Sequence, residues 1–457
     1  MTKYNIFIFR RDLRLYDNNG LNYAMSNFDN IIPIFIFTPE QITDKNKFKS
    51  NNAIQFMIES LKELDEELKE NESKLHIFQG ENEKVIKKII KDIDNENIIF
   101  NMDYTPYAIK RDKEIESICK KKNINCIIKE DYLLKEIGTF LKNDGEPYTV
   151  YTPFKNNGKK HTIDKPSKAR LKNLSKSNKL KTTDYISHPT NNDILVNGGR
   201  SNGLKQLRKI KNQKKYNTNR NTLSIETSLL SAYIKFGCIS IREVYWKIKE
   251  KLGATNSLID QLFWREFYFY IAYYFPQVLK GKNYNEKYDD IKWNKNSSLF
   301  KKWCDGETGY PVVDAGMRQM NKTGYMHNRA RLITSNFLNR MLGMDWRLGE
   351  KYFAQTLTDY DPSVNNGNWQ WIASTGVDPK PYFQRLFNPI LQSEKFDKNA
   401  EYIKEWVPEL NDIPAKDIHN WESEYKNYDL KEVNYIKPIV EYKKARQESV
   451  DMYRKVL

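Results

Sequence analysis

The chain has 457 residues, enough for about two or three domains with full cores. Hydrophobic residues make up 39% and aromatic residues 13%, which excludes a disordered chain, and no apolar run is long enough to cross a bilayer. A net charge of +16 favours a polyanionic partner, although an AT-rich genome, whose mark is the abundance of Lys, Asn and Ile, would supply part of that charge. The four cysteines, Cys119, Cys126, Cys238 and Cys304, lack C-x-x-C spacing, so neither a zinc nor an iron–sulfur site is expected and no metal is assigned. Their scarcity suits a reducing compartment, and Met1 leads straight into a strand-like run with no signal peptide. The expectation is a soluble intracellular protein, with cytoplasm and nucleus left open.

The first part of the chain alternates short apolar runs with amphipathic segments. The runs Tyr4–Phe9, Ile31–Phe37, Leu75–Phe78, Ile98–Phe100 and Cys126–Ile128 predict strands. Helical spacing predicts helices over Asn51–Glu70, around Val85–Ile93 and around Ala108–Lys121. Together they predict an α/β domain over residues 1–131, a doubly wound parallel sheet with helices on both faces. The first strand–helix turn carries Arg10-Arg11-Asp12 and no G-x-G-x-x-G, so a dinucleotide held there in the Rossmann manner is not expected.

Over residues 132–215 Gly, Pro, Asn, Ser and Lys dominate, as in a long interdomain connector. One patch in it, Tyr148–Lys155, is too aromatic for a free linker and is expected to dock on a domain. The basic stretch Lys155–Lys181 reads as solvated surface. Residues 216–457 read as an all-α domain, with helical spacing in Ser231–Leu252, Ser257–Phe275, Val312–Lys322, Arg329–Leu342, Trp346–Leu357 and Ala400–Val407.

Chemistry concentrates between Thr308 and Asp397, around Asp359-Tyr-Asp-Pro-Ser-Val-Asn-Asn-Gly-Asn-Trp-Gln-Trp371. Polar residues interleaved with Trp and Phe need buried partners, because an unsatisfied buried polar group costs about 1–3 kcal/mol. A large, flat, heteroatom-rich ligand would supply them. The stretch Thr227-Ser228-Leu229-Leu230-Ser231 before a helical run could cradle a pyrophosphate, although an ordinary N-cap looks the same. Gln261, Trp264, Arg265 and Tyr268 fall on nearby faces of one helix. Among the charged residues Arg329, Arg331, Asp359 and Asp361, a salt bridge between Arg331 and Asp359 is expected, since a buried arginine needs a partner.

These residues fall into motifs. They are Trp264-Arg-Glu-Phe-Tyr268, Thr308-Gly-Tyr-Pro-Val-Val-Asp314, Met326-His-Asn-Arg329, Asp345-Trp-Arg347, Asn365-Asn-Gly-Asn-Trp-Gln-Trp371, Glu394-Lys-Phe-Asp397 and, at the start, Phe9–Asn18. In this order and spacing they resemble the DNA photolyase/cryptochrome family, and most of all its class I cyclobutane pyrimidine dimer photolyases, over nearly the whole chain. The resemblance implies FAD held U-shaped in the helical domain. Thr227, Ser228, Leu229 and Ser231 would hold its phosphates. Arg331 and Asp359 would lie beside the isoalloxazine, Asp361 at its polar edge, Asn365 at N5, and Arg265 among the cofactor-binding residues. Trp369, Trp346 and Trp293 would carry electrons between flavin and surface. The lesion, flipped out of the duplex, would sit between Trp264 and Trp371, with Gln261, Asn328, Arg329 and Leu332 around it. The implied activity is light-driven splitting of pyrimidine dimers in DNA by a monomer. A cryptochrome-type photoreceptor is the alternative, disfavoured because the chain ends at Leu457 without a long extension.

Three positions depart from the class I pattern: Gln261 replaces the usual glutamate, Leu332 a common methionine and Tyr325 a common tryptophan. A 6-4 photolyase would need histidines near Asn328 and Leu332, and neither residue is His, although Gln261 is shared with that branch. For the antenna chromophore, the folate positions of bacterial relatives correspond to Lys45, Tyr107 and Ala108 and do not match. A folate held differently, a deazaflavin, or no antenna all stay open.

Overall fold

A computed structural model describes residues 2–457 except 169–170, 178, 379–380, 382 and 384–385. Five strands, β1 (Tyr4–Phe9), β2 (Ile31–Phe37), β3 (His76–Gln79), β4 (Asn95–Asn101) and β5 (Asn125–Lys129), form one parallel sheet in the order β3-β2-β1-β4-β5. All seven residues of β2 are buried, as a strand covered on both faces requires. Ile6, Ile8, Ile32 and Ile34 face the helices Asn82–Asp92 and Pro106–Lys121. Phe7, Phe9, Ile31 and Phe35 face the other way, toward Asn19–Asn27 and Asn51–Glu70. This second core runs on without a break into residues 229–271, so the two halves of the molecule share apolar interior.

The halves are also joined by charge. Arg242 donates Nη2 to Asp131 at 2.8 Å and Nε to Asp17 at 3.0 Å, while Arg14 donates Nη2 to Asp131 at 2.6 Å. All four side chains are buried, and each charge has its counter-charge in contact. The stretch between the halves is docked, as its aromatic patch predicts. Residues Tyr151–Gly158 form a helix in which Phe154 is fully buried and Tyr151 stacks on Trp264 with ring centroids 3.5 Å apart.

The helices that build the site are α1 (Ser231–Lys235), α2 (Ile241–Leu252), α3 (Ser257–Tyr274), α4 (Asn328–Asn336), α5 (Trp346–Thr356) and α6 (Pro362–Ala373). The single helix predicted over Ser231–Leu252 is broken between α1 and α2. Gly237 there has φ +66°, a Cβ on it would run into the Arg11 backbone, and Ser240 restarts the helix with a capping box to Glu243. Likewise Arg329–Leu342 is not one regular helix. After Asn336 it widens into a π-helical turn, Phe337–Met341.

Candidate active site

Asp361 starts α6. One carboxylate oxygen accepts from the backbone N–H of Ser363 (3.0 Å) and Val364 (3.3 Å), and Pro362 follows at the first helical position, where its missing N–H costs nothing. The other oxygen is clasped by the guanidinium of Arg11, from the end of β1. Burial alone would push the Asp361 carboxyl up, but Arg11 and Arg265 hold it below the usual carboxylate range. Two residues earlier, Asp359 accepts from Arg331 Nη2 at 2.9 Å, so the expected ion pair forms, and Arg331 Nε donates to the Met326 carbonyl at 2.9 Å. The remaining oxygen of Asp359, Oδ1, is buried and has no hydrogen-bond partner among the described residues.

Tyr325 links this pair to the hydroxyl stretch. Arg331 lies 5.2 Å from its ring centroid, and its phenol oxygen is 3.3 Å from Ser231 Oγ and hydrogen-bonded to the Thr227 side chain. Thr227 and Ser228, with Tyr216 and Asn219, line a cavity of about 270 Å³. Leu229 is buried behind them with φ +51°, a left-handed turn that a leucine adopts at a cost. One helical turn beyond Ser231, Lys235 points into the same region. Burial, reinforced by neighbouring Arg11, pushes its ammonium down to about 7 against the pull of Asp361, Asp103 and Asp359.

Gln261, Trp264 and Tyr268 recur along one side of α3. Gln261 Nε2 is buried without a hydrogen-bond partner among the described residues. Tyr268 packs flat against Gly367 of α6, where a Cβ would overlap its ring. Arg265, on another side of the helix, donates to the Tyr132 carbonyl at 2.7 Å and lies 4.4 Å from the Phe269 ring centroid. Trp371 is half-buried on α6.

At the start of α4, His327 accepts the Arg329 N–H through Nδ1 at 3.1 Å, and burial pushes its imidazole down to about 4. Asn328 is exposed and Leu332 half-buried. Arg329 is held by neutral amides, Asn221 Oδ1 at 2.7 Å and Gln392 Oε1 at 3.4 Å, and forms no ion pair among the described residues. Its charge is therefore available to an external anion.

Two of the three tryptophans are buried and the third, Trp293, is half-buried. Trp369 is 2% exposed, held against Gly349 of α5 and edge-on to Phe353 at 4.9 Å. Trp346 is fully buried and donates Nε1 to Asn283 Oδ1 at 3.0 Å. Trp293 is half-buried, adjoins the bridge between Asn294 and Met344, and meets the Tyr453 ring edge-on at 6.1 Å. Asn365 donates Nδ2 to the Glu350 carbonyl at 3.1 Å.

Arg11, Lys235 and Glu350 belong to this site and were not singled out from the sequence, where Tyr325 stood only as a departure from the class I pattern. The signal for Arg11 was a run of three charged residues at the end of an apolar strand, which a buried sheet tolerates only where the charges are paired. The positions that correspond to the folate site of bacterial relatives show no binding set. Lys45 is exposed, the Tyr107 ring is 46% exposed, and Ala108 is buried in the first turn of its helix. Among the described residues no cluster of metal-ligating side chains occurs, and no helix is long and apolar enough to cross a membrane.

The donor set fits a flavin dinucleotide. An unsatisfied carboxylate oxygen on Asp359, an ion pair, a lysine and a hydroxyl-lined cavity suit a molecule with a polar flat ring at one end and phosphates at the other.

Two family models match the chain, "DNA photolyase" over residues 5–172 and "FAD binding domain of DNA photolyase" over residues 258–455. A deoxyribodipyrimidine photo-lyase of Alkalihalophilus pseudofirmus is 33% identical over 470 residues, covering 98% of this chain and 97% of that protein. An archaeal photolyase of Sulfolobus tokodaii, solved with two FAD molecules, superposes with a TM-score of 0.87 at 39% identity, over 99% of this chain and all of that one. A bacterial class III photolyase of Agrobacterium tumefaciens gives a TM-score of 0.91 at 30% identity, over 100% of this chain and 98% of that one.

Proposed function

The chain belongs to the DNA photolyase family, and from that membership we propose a light-driven, FAD-dependent lyase that splits cyclobutane pyrimidine dimers in DNA. In domain terms, residues 1–131 form a sheet domain, 132–215 a connector, and 216–457 the domain that binds FAD and DNA. Within this molecule the observation that carries the reading is the Arg331–Asp359 pair, with Asp359 Oδ1 buried and unsatisfied among the described residues and Tyr325 joining Arg331 to the Thr227 and Ser231 hydroxyls.

When bound, FAD would supply the light-driven electron chemistry that ring splitting needs. The chain's own residues bind, orient and shield. Thr227, Ser228, Leu229 and Ser231 hold the phosphates, with Tyr325 closing over them. Arg331, Asp359 and Asp361 would hold the polar edge of the flavin ring, and Asn365 would present its amide to it. Arg265 and Arg11 hold Asp361 ionised from behind, so that edge keeps a fixed negative charge. Trp369 and Trp346, both buried, and half-buried Trp293 would carry reducing equivalents in from outside. For the lesion, Trp264 and Trp371 give apolar walls. Gln261 offers its unsatisfied Nε2–H to a pyrimidine carbonyl, as a neutral donor that cannot supply a proton. Arg329 and Asn328, at the surface, are set for DNA phosphate.

The decisive experiment is a repair assay. Photoreduced protein is mixed with an oligonucleotide carrying one thymine dimer, in blue light or darkness, with a 6-4 lesion in parallel. Light-dependent recovery of thymines from the dimer alone is expected. Recovery from the 6-4 lesion alone would reassign the substrate, and no recovery from either, with FAD bound and photoreducible, would make the protein a photoreceptor.

A second ligand is favoured by the sheet. In the order β3-β2-β1-β4-β5 the switch point lies between β1 and β4, the place where open parallel sheets bind ligands. Beside it Arg10 Nη2, Arg111 Nη2, Asp112 Oδ2 and Tyr132 OH are buried without hydrogen-bond partners among the described residues. A light-collecting chromophore here, with polar groups to meet these atoms, is the accompanying proposal, and the absorption of whatever heat-denatured protein releases besides FAD tests it.

A further inference from the structure

Helices α5 and α6 meet through consecutive amides. Asn365 donates Nδ2 to the peptide carbonyl of Glu350 (3.1 Å), and Asn366 donates Nδ2 to the Glu350 side chain, Oε1, at 2.8 Å and to the Val278 carbonyl at 3.1 Å. Gln370, one turn on, donates to Asn366 Oδ1 at 3.0 Å. Glu350 is 8% exposed, stands one turn after Trp346, and follows Gly349, which touches Trp369. It forms no ion pair among the described residues. The ionisable groups acting on it are Arg347 and Asp345 from the start of α5 and Tyr360 from the segment before α6. Asn366 needs only an acceptor, and a glutamine would serve. An ionisable group at this place therefore does more than satisfy a donor.

We propose that Glu350 is a positioning residue for Asn365, and that the charge on its carboxyl sets the electrostatics of the wall Asn365 presents to the flavin. This rests on the functional reading above, in which Asn365 faces the ring. When Glu350 is ionised, the bond from Asn366 becomes charge-assisted and tightens. A negative charge then stands behind Asn365 in a poorly solvated wall and disfavours added electron density on the ring side. When Glu350 is protonated, that opposition disappears. Burial pushes the Glu350 carboxyl up to about 7, so both forms occur near neutral pH.

The test measures how fast photoreduced flavin re-oxidises in air and darkness, read from its visible absorbance between about pH 5.5 and 8.5. In the wild type the rate is expected to rise with pH by about threefold or more, through a midpoint near 7. Glu350→Gln, which keeps the acceptor for Asn366 and cannot ionise, is expected to hold flavin and keep the slow, low-pH rate throughout. A purely structural role would leave the shape of this profile alone. The same pH dependence in wild type and Glu350→Gln would overturn the proposal, as would a flat wild-type profile. If the variant loses flavin, light-minus-dark infrared spectra of the wild type decide. A protonated-carboxyl band that is perturbed on photoreduction and titrates away near pH 7 supports the proposal, and absence of such a band sinks it. A wild type that binds no flavin at all would overturn the functional reading itself.

Discussion

Single side chains set the character of the pocket. Asp359→Asn removes the counter-charge of Arg331, leaving a guanidinium whose other bond among the described residues is to a peptide carbonyl. Breaking a buried pair costs about 3–5 kcal/mol, and Arg331 retains enough exposure to soften this to about 1–3 kcal/mol. The variant is expected to purify with less FAD and a lower melting temperature. Gln261→Glu is expected to keep light-driven repair with altered efficiency, and to make its rate pH-dependent, because only the glutamate titrates. Abolished repair would show that the pocket cannot take a carboxyl there. Glu350 adds a stability signature. Its carboxyl is raised from 4.5 to about 7 in the folded protein, so the wild type loses stability as pH climbs between those values and no further above them. Melting curves of Glu350→Gln are expected to match the wild type below about pH 4.5 and to exceed it above pH 7.

At the scale of elements, the regular patterns were legible and their interruptions were not. Short continuous apolar runs placed all five strands, and period-3.6 apolar spacing placed the long helix Asn51–Glu70. The same spacing ran straight across Gly237, since apolar periodicity does not report that the Arg11 backbone occupies the space a side chain would need. The π-helical turn after Asn336 was hidden for a similar reason, because one extra residue in a turn shifts the apolar stripe only slightly. Within the site, the Arg331–Asp359 pair followed from the rule that buried charges pair. Lys235 and Glu350 gave no such signal, as an isolated Lys or Glu in a helical stretch ordinarily reads as surface. Helix α6 carries the tightest steric requirement. Gly367 meets the face of Tyr268, and Gly367→Ala is expected to push α6 off α3 at a cost of about 1–3 kcal/mol. Because α6 also bears Asn365, Trp369 and Trp371, flavin absorbance and repair should shift together with the melting temperature.

For the whole molecule, the +16 charge has no effect on fold but a direct one on encounter with DNA. Affinity for undamaged duplex is expected to fall at least about tenfold between roughly 50 and 200 mM salt, because releasing condensed counterions from the DNA gains less entropy as the bulk salt rises. Arg329→Ala is expected to flatten that slope by about one unit, its guanidinium having no counter-charge in contact among the described residues. Unchanged slopes in the variant would remove Arg329 from the DNA contact set.

The ionic lock of Arg14, Asp17, Asp131 and Arg242 sits where the sheet half meets the helical half, and a common apolar interior lies beside it. Two bodies joined in this way cannot slide or hinge without pulling buried charges away from the counter-charges they touch. Any pigment seated at the β1–β4 switch point would thus keep a constant separation from the flavin and a constant angle between their transition dipoles. Excitation transfer depends steeply on both quantities. The lock would then act as an optical mount, fixing the yield with which light caught in one half is delivered to the other.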